Sequence, residues 1–147
     1  MEIQIKTFDQ LTTQELYQLL QLRSAVFVVE QDCVYQDVDG KDQKAIHVLG
    51  TKEGKLAAYT RMFGPGDYFD NPSIGRVVVA QDERQYGYGK VIMEASIADL
   101  ENRYPGKTIE LSAQTYLLRF YNSLGFKETG TEYLEDGIPH VRMVRTQ

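Results

Sequence analysis

Arg76-Val77-Val78-Val79-Ala80, followed by Gln81-Asp82-Glu83-Arg84-Gln85-Tyr86-Gly87-Tyr88-Gly89-Lys90, reads as a strand that passes through a glycine turn into the start of a helix. Three consecutive valines suit a buried strand, and the segment after Gly87 and Gly89 has helical periodicity. The first amides of a helix lack partners within it and face the positive end of the helix dipole, so such a turn is a natural cradle for an anion. Glycine lets a bulky phosphate approach the backbone, and Arg84 and Lys90 flank the turn with positive charge.

Outward from this turn, the rest of the chain supplies strands and helices in alternation. Residues 2 to 6 alternate as a short strand. Thr12 and Glu15 form a capping box for a first helix that continues through Val26 and Phe27. Ala45 to Leu49 and Lys55 to Phe63 read as a hairpin about Gly50 to Gly54, and Gly64-Pro65-Gly66 opens a loop that carries Tyr68 and Phe69. Met93, Ile97, Leu100 and Tyr104 mark the second helix, which stops at Pro105-Gly106. Ile109 to Gln114 is a strand. Leu117, Phe120, Tyr121 and Leu124 share a helical face that Gly125 caps, and Phe126 onward supplies two strands about a turn at Glu135-Asp136-Gly137. This order predicts a mixed-sheet α/β or α+β domain with crossover helices, a single domain over 1–147.

Composition narrows the function. A net charge of −5 argues against a nucleic-acid partner, which would need a basic surface, and suits a cationic substrate. No apolar run is long enough to span a membrane and no signal peptide opens the chain, so the expected compartment is the cytoplasm. Cys33 is the one cysteine, which excludes an internal disulfide and any cysteine-based metal cluster; it reads as a small buried apolar residue. His47, His140 and the scattered aspartates have no metal-ligand spacing, so no metal is expected. The acidic run Asp37-Val38-Asp39-Gly40-Lys41-Asp42 reads as a solvated loop that also borders an acceptor site. A P-loop would need glycine at 84 and Ser or Thr at 91, where Arg84 and Val91 stand; a dinucleotide fingerprint would need a small residue at 92, where Ile92 stands.

What remains, Arg84-Gln85-Tyr86-Gly87-Tyr88-Gly89, resembles the acetyl-coenzyme A signature of the GNAT superfamily of N-acetyltransferases. Phe120-Tyr121-Asn122-Ser123-Leu124-Gly125-Phe126 is similar to a later helix motif of the same superfamily. Leu22-Arg23, Val26 to Gln31, Asp39 to Asp42, Gly75 to Val79, Ala113-Gln114 and Glu135 to His140 are similar to its ElaA-like members. The resemblance covers nearly the whole chain. It implies the GNAT-type acyl-CoA N-acyltransferase fold, a mixed sheet of about six to seven strands flanked by helices.

It also implies roles. Backbone groups of Val77 and Val79 would hold the pantetheine arm of acetyl-CoA, and amides of Arg84, Gln85, Tyr86, Gly87, Tyr88, Gly89 and Lys90 its pyrophosphate, with Asn122 counted among the cofactor-binding residues. Tyr121 would be the general acid that protonates the departing thiolate, a role the motif favours over the core reading suggested by its sharing a face with Leu117 and Leu124. The strand Val77 to Val79 lacks the glutamate that some members use as a base. Glu30, His47, Glu110 and His140 are therefore the acceptor-side candidates. The implied activity is acetyl transfer from acetyl-CoA to the primary amine of an acceptor that the sequence does not name. The alternative is a catalytically silent coenzyme A-binding sensor or scaffold. A homodimer remains open, because only folding identifies the exposed apolar residues.

Overall fold

Ile3 and Ile5 alternate with polar neighbours, and this period of two builds strand β1 (Glu2–Thr7). In the computed structural model, which describes residues 1–147, the capping box forms as expected. The Thr12 side chain accepts the Glu15 amide at 3.1 Å while the Glu15 carboxylate takes the Thr12 amide at 2.8 Å, starting helix α1 (Thr13–Arg23). The helix does not run on to Phe27 as an α-helix. It widens into a π-helical segment, Ser24–Glu30, whose hydrogen bonds skip five residues: the Gln31 amide reaches Val26 and the Cys33 amide reaches Val28.

The expected hairpin follows as β2 (Ile46–Lys52) and β3 (Lys55–Phe63). Glu53 and Gly54 turn it with φ of +53° and +79°, the mirror-type turn that matches strand twist. Strand β4 (Ser73–Val79) begins four residues before the valine run, despite Gly75. Helix α2 (Tyr88–Arg103), strand β5 (Ile109–Gln114), helix α3 (Leu118–Ser123) and the hairpin β6 (Lys127–Glu135) and β7 (Ile138–Arg145) complete the chain. Residues Thr115–Leu117, read as helical, form a tighter 3-10 turn before α3. No helix is long and apolar enough to cross a membrane.

Seven strands form one sheet in the order β1-β2-β3-β4-β5-β7-β6. Every adjacent pair is antiparallel except β4 and β5, which run parallel and meet at one register pair, Ser73 with Glu110. Beyond that pair the two strands part. A bulge shapes β4 as well. Arg76 has φ of +48°, and opposite Thr60 the register with β3 slips by a residue. The slip turns β4 over: Ile74 faces α2 with Ile92, Met93 and Leu100, whereas Val78 faces α1 with Leu19 and Tyr59. Without the bulge, residues four apart would share a face.

The acidic run is not a solvated loop. Asp37 and Asp42 are buried, as are Arg23 and Arg61, and together with Asp39 and Arg76 they form one ionic cluster. Arg23 reaches Asp37 at 2.8 Å and Asp42 at 2.7 Å; Arg61 reaches Asp39 at 2.9 Å and Asp42 at 3.0 Å; Arg76 reaches Asp37 at 2.8 Å. Three guanidinium groups from α1, β3 and β4 thus face three carboxylates of one connecting segment. Burial alone would raise the Asp39 pKa, yet hydrogen bonds from Arg61 and the Lys41 amide hold it at about 2.

The cluster predicts two outcomes. Asp42→Ala leaves two buried guanidinium groups short of a partner and should cost about 3–5 kcal/mol in urea unfolding. Because the folded Asp39 pKa lies below its ordinary 3.8, the stability it contributes is present above that value and should fall as pH drops from 3.8 through about 2, read by thermal melts in acid.

Candidate functional site

The parting of β4 and β5 opens a cleft of about 120 Å³ beside the bulge. From Gly75 to Val79, β4 has no partner on the β5 side, so its main chain there lines an open seam. Val77 lies in the cleft wall, while the Val79 carbonyl is already taken by Arg84 Nε at 3.2 Å. At the far end of β4, residues Gln81–Tyr86 form a 3-10 turn and Gly87 adopts φ of +73°, the left-handed geometry that ends this turn and begins α2. The free amides of the first α2 turn, from Tyr88 through Lys90, follow directly. Gly89 has no such backbone need, since a Cβ there would meet Phe120 at 3.6 Å and Val79 at 3.7 Å, ordinary contacts.

Tyr121 on α3 lies between core and cleft. It is 6% exposed, packs edge-on against Phe120 and Phe126, and lines the cleft. Its hydroxyl has no hydrogen-bond partner in the protein, yet it is not sealed from solvent, so it opens into the cleft. Burial, reinforced by Tyr116, pushes its pKa well up and keeps the phenol protonated. The core and cleft readings of Tyr121 therefore describe two ends of one side chain.

Of the four acceptor-side candidates, His140 alone lines the cleft. Its Nδ1 lies 2.7 Å from the Ile138 carbonyl; a carbonyl can only accept, so Nδ1 carries a proton. Nε2 then faces the Glu135 carboxylate at 3.3 Å. Ser112, hydrogen-bonded to Tyr133, extends this polar wall. His47 is elsewhere: fully buried, it donates from Nε2 to the Asp42 carbonyl at 2.9 Å and accepts from Tyr59 at 2.6 Å, and burial lowers its pKa. Both ring nitrogens are committed to structure. Glu110 is clamped by Arg142 at 2.9 Å and by Asn71 at 3.1 Å beside the seam's one register pair.

Glu30 and Arg84 are joined to each other. Two short bonds of 2.6 and 2.8 Å link them, so the Arg84 side chain is turned toward the π-helical segment rather than toward the α2 amides. Lys90 stays exposed, 3.9 Å from Glu94. The Asn122 amide donates to the Phe126 carbonyl at 2.8 Å and to Glu128 at 2.9 Å, bracing the turn at Gly125. Tyr86 is exposed under the Lys52 ammonium at 3.9 Å, and Gln85 adjoins it in the 3-10 turn.

The cleft also holds residues that motif reading passed over. Phe63 and Tyr68 stack at 5.0 Å and Tyr68 meets Phe69 edge-on at 4.8 Å, making an aromatic wall. The aromatic pair in the Gly-Pro-Gly loop is the signal that pointed there. Ser73 carries no sequence signal of its own, whereas Gly75 and Glu135 each begin a stretch of the family resemblance that gave them no role. Cys33 is half-buried in the cleft wall, its thiol 3.3 Å from the Asp136 carbonyl, rather than a core residue. No group of three His, Cys, Asp or Glu side chains is placed to hold a metal.

A family model described as an acetyltransferase (GNAT) domain matches residues 5–147. ElaA of Escherichia coli is 43% identical over 139 residues, which cover 93% of this chain and 91% of that protein. The crystal structure of ElaA superposes with a TM-score of 0.91 at 41% identity over 98% of both chains. An acyl-CoA N-acyltransferase from Pseudomonas aeruginosa superposes at 0.93 with 40% identity, covering 99% of this chain and all of the other. At 17% identity and a TM-score of 0.71, an aminoglycoside 6'-N-acetyltransferase solved with coenzyme A shares the fold, covering 97% of this chain and 96% of its own.

The two turn glycines should behave differently. Gly87→Ala forces a side chain into left-handed backbone and should lower stability by about 1–2 kcal/mol. Gly89→Ala, with only ordinary contacts to make, should melt within a few degrees of the parent by circular dichroism.

Proposed function

The chain belongs to the GNAT acetyltransferase family and to its ElaA-like branch, and on that premise we propose that it transfers an acetyl group from acetyl-CoA to a primary amine in a ternary complex. The observation that carries the reading is Tyr121: a phenol kept protonated by burial, without a protein partner, opening into the seam between β4 and β5. The residues fit a coenzyme A thioester. The unpaired edge of β4 at Gly75 to Val79 suits an extended pantetheine arm, and the α2 amides after Gly87 suit its pyrophosphate. Since Arg84 is held by Glu30, the backbone and Lys90 supply that anion site in the state described.

Acetyl-CoA supplies an activated carbonyl, and the protein positions an amine against it. His140 Nε2 accepts a proton from the incoming ammonium, and Glu135 stabilises the imidazolium so formed. The freed amine attacks the thioester carbon, with main-chain amides near Val79 facing the charge that develops on oxygen. As the C–S bond breaks, Tyr121 Oη donates its proton to sulfur. The first proton from nitrogen passes through His140 to solvent and the second, lost after attack, restores the Tyr121 phenol, so each turnover releases one proton along with the amide and the free thiol.

Tyr121→Phe should lower kcat about 10²-fold or more while coenzyme A binding by calorimetry is kept, measured as thiol release with a panel of amines. In the parent, Tyr121 should cause no loss of kcat as pH rises to about 10, because its raised pKa keeps the acid form present beyond the ordinary phenol value. Unchanged turnover in Tyr121→Phe would remove the residue from the mechanism. Coenzyme A binding with no transfer to any amine would favour a silent coenzyme A sensor instead.

A further inference from the structure

Of the buried polar atoms in the cleft wall, Arg76 Nε is ion-paired 2.8 Å from Asp37 Oδ1, which leaves Ser73 Oγ and Arg61 Nε without a partner in the protein. Each residue is 1% exposed. Native chains leave few buried polar atoms unpaired, because each costs stability. These two lie in one small patch. The antiparallel register sets Arg61 opposite Gly75 and Phe63 opposite Ser73, which puts directly opposed side chains about 5 Å apart on the same face.

Gly75 sits at the centre of this patch. A Cβ built on it meets nothing within 4 Å, and its φ is not left-handed, so neither packing nor backbone requires glycine there. The missing side chain leaves space in the cleft floor. Arg61 Nε can only donate into that space, whereas the Ser73 hydroxyl can donate or accept. Both would be satisfied by an oxygen.

Charge decides which oxygen. Arg61 belongs to a cluster in which three guanidinium groups already face three carboxylates, so no positive charge is left over. A carboxylate over Gly75 would add a fourth anion to a balanced, buried set; a neutral oxygen takes the same hydrogen bonds without that penalty. At about 120 Å³ the cleft is smaller than the ~150 Å³ cavity that accepts a benzene, and the aromatic wall of Phe63, Tyr68 and Phe69 covers the body of what binds.

We propose that the space over Gly75 is an acceptor subsite for a neutral oxygen, so that the acceptor is a small primary amine bearing a hydroxyl or amide carbonyl. This rests on the acetyl-transfer reading above. His140 and Glu135 take the amino end, and Ser73 with Arg61 Nε–H take the oxygen.

The test compares matched amines: propanolamine with butylamine, and β-alaninamide with β-alanine. In the parent, kcat/KM for propanolamine and β-alaninamide should exceed that of their partners by about tenfold or more, because a site with buried polar groups rejects an analogue that leaves them unpaired. Ser73→Ala should shrink the preference to within about threefold through a higher KM for the oxygen-bearing amines, and Gly75→Ala should do likewise by filling the space. Ser73→Ala should also melt at or above the parent temperature, since it removes an unpaired buried hydroxyl. Equal kcat/KM within the pairs, an equal loss for all amines in Ser73→Ala, or a clear fall in its melting temperature would overturn the subsite. If no amine is acetylated and coenzyme A does not bind, the enzyme reading itself fails. The subsite is then read by thermal shift: stabilisation by β-alaninamide but not butylamine, lost in Ser73→Ala, supports it, and no shift overturns it.

Discussion

Three guanidinium groups and three carboxylates, brought together from four segments of the chain, fix the geometry on which the site depends. Arg23 comes from the end of α1, Arg61 from near the end of β3, Arg76 from the bulge of β4, and the aspartates from the segment between the π-helical turn and β2. Removing one member would leave an unmatched charge in low dielectric, so the members hold one another in register. Arg76 is the link that matters most. Its left-handed backbone creates the bulge, and its side chain reaches Asp37, so the bulge is anchored by the cluster it helps to complete. His47 and Tyr59 extend the same buried system through hydrogen bonds rather than charge.

From the bulge onward the architecture of the cleft follows. Turning β4 over sends Val78 toward α1 and leaves Val77 in the wall of the seam. One face of the cleft is then the unpaired β4 backbone with apolar side chains. The other carries His140, Glu135, Ser73 and the aromatic wall. Tyr121 stands where the two meet. The link of Arg84 to Glu30 joins the turn before Gly87 to the π-helical segment, so the two are mechanically connected.

Much of this was legible in the chain because its signals are local. The Thr12–Glu15 capping box, the turn at Glu135-Asp136-Gly137 and the valine run before Gly87 each depend on residues within a few positions of one another, and each forms; the first hairpin forms too, although its turn is confined to Glu53-Gly54 rather than spread over Gly50 to Gly54, because β2 runs on to Lys52. The resemblance carried the family and the seven-stranded sheet. What escaped is non-local. Asp37 and Asp42 look like surface residues until Arg23 and Arg61 arrive from distant segments to neutralise them. Strand β4 looked short because Gly75 is a weak strand former, yet pairing with β3 overrides that preference. His47 and Glu110 had the right chemistry for a site but were claimed by Tyr59 and Arg142, partners that no spacing rule announces.

The lone register pair between β4 and β5 has a consequence for how the molecule moves. It divides the sheet into two halves, β1 to β4 and β5 to β7, each contiguous in sequence and each densely hydrogen-bonded within itself. Along the seam the main connections are side chains, notably the α2 packing and the Gln31–Gln114 contact across its mouth. Amides inside either half should therefore exchange slowly, while the seam can breathe without either half unfolding. The protein is built as two stiff plates on a hinge, with the cleft at the crease.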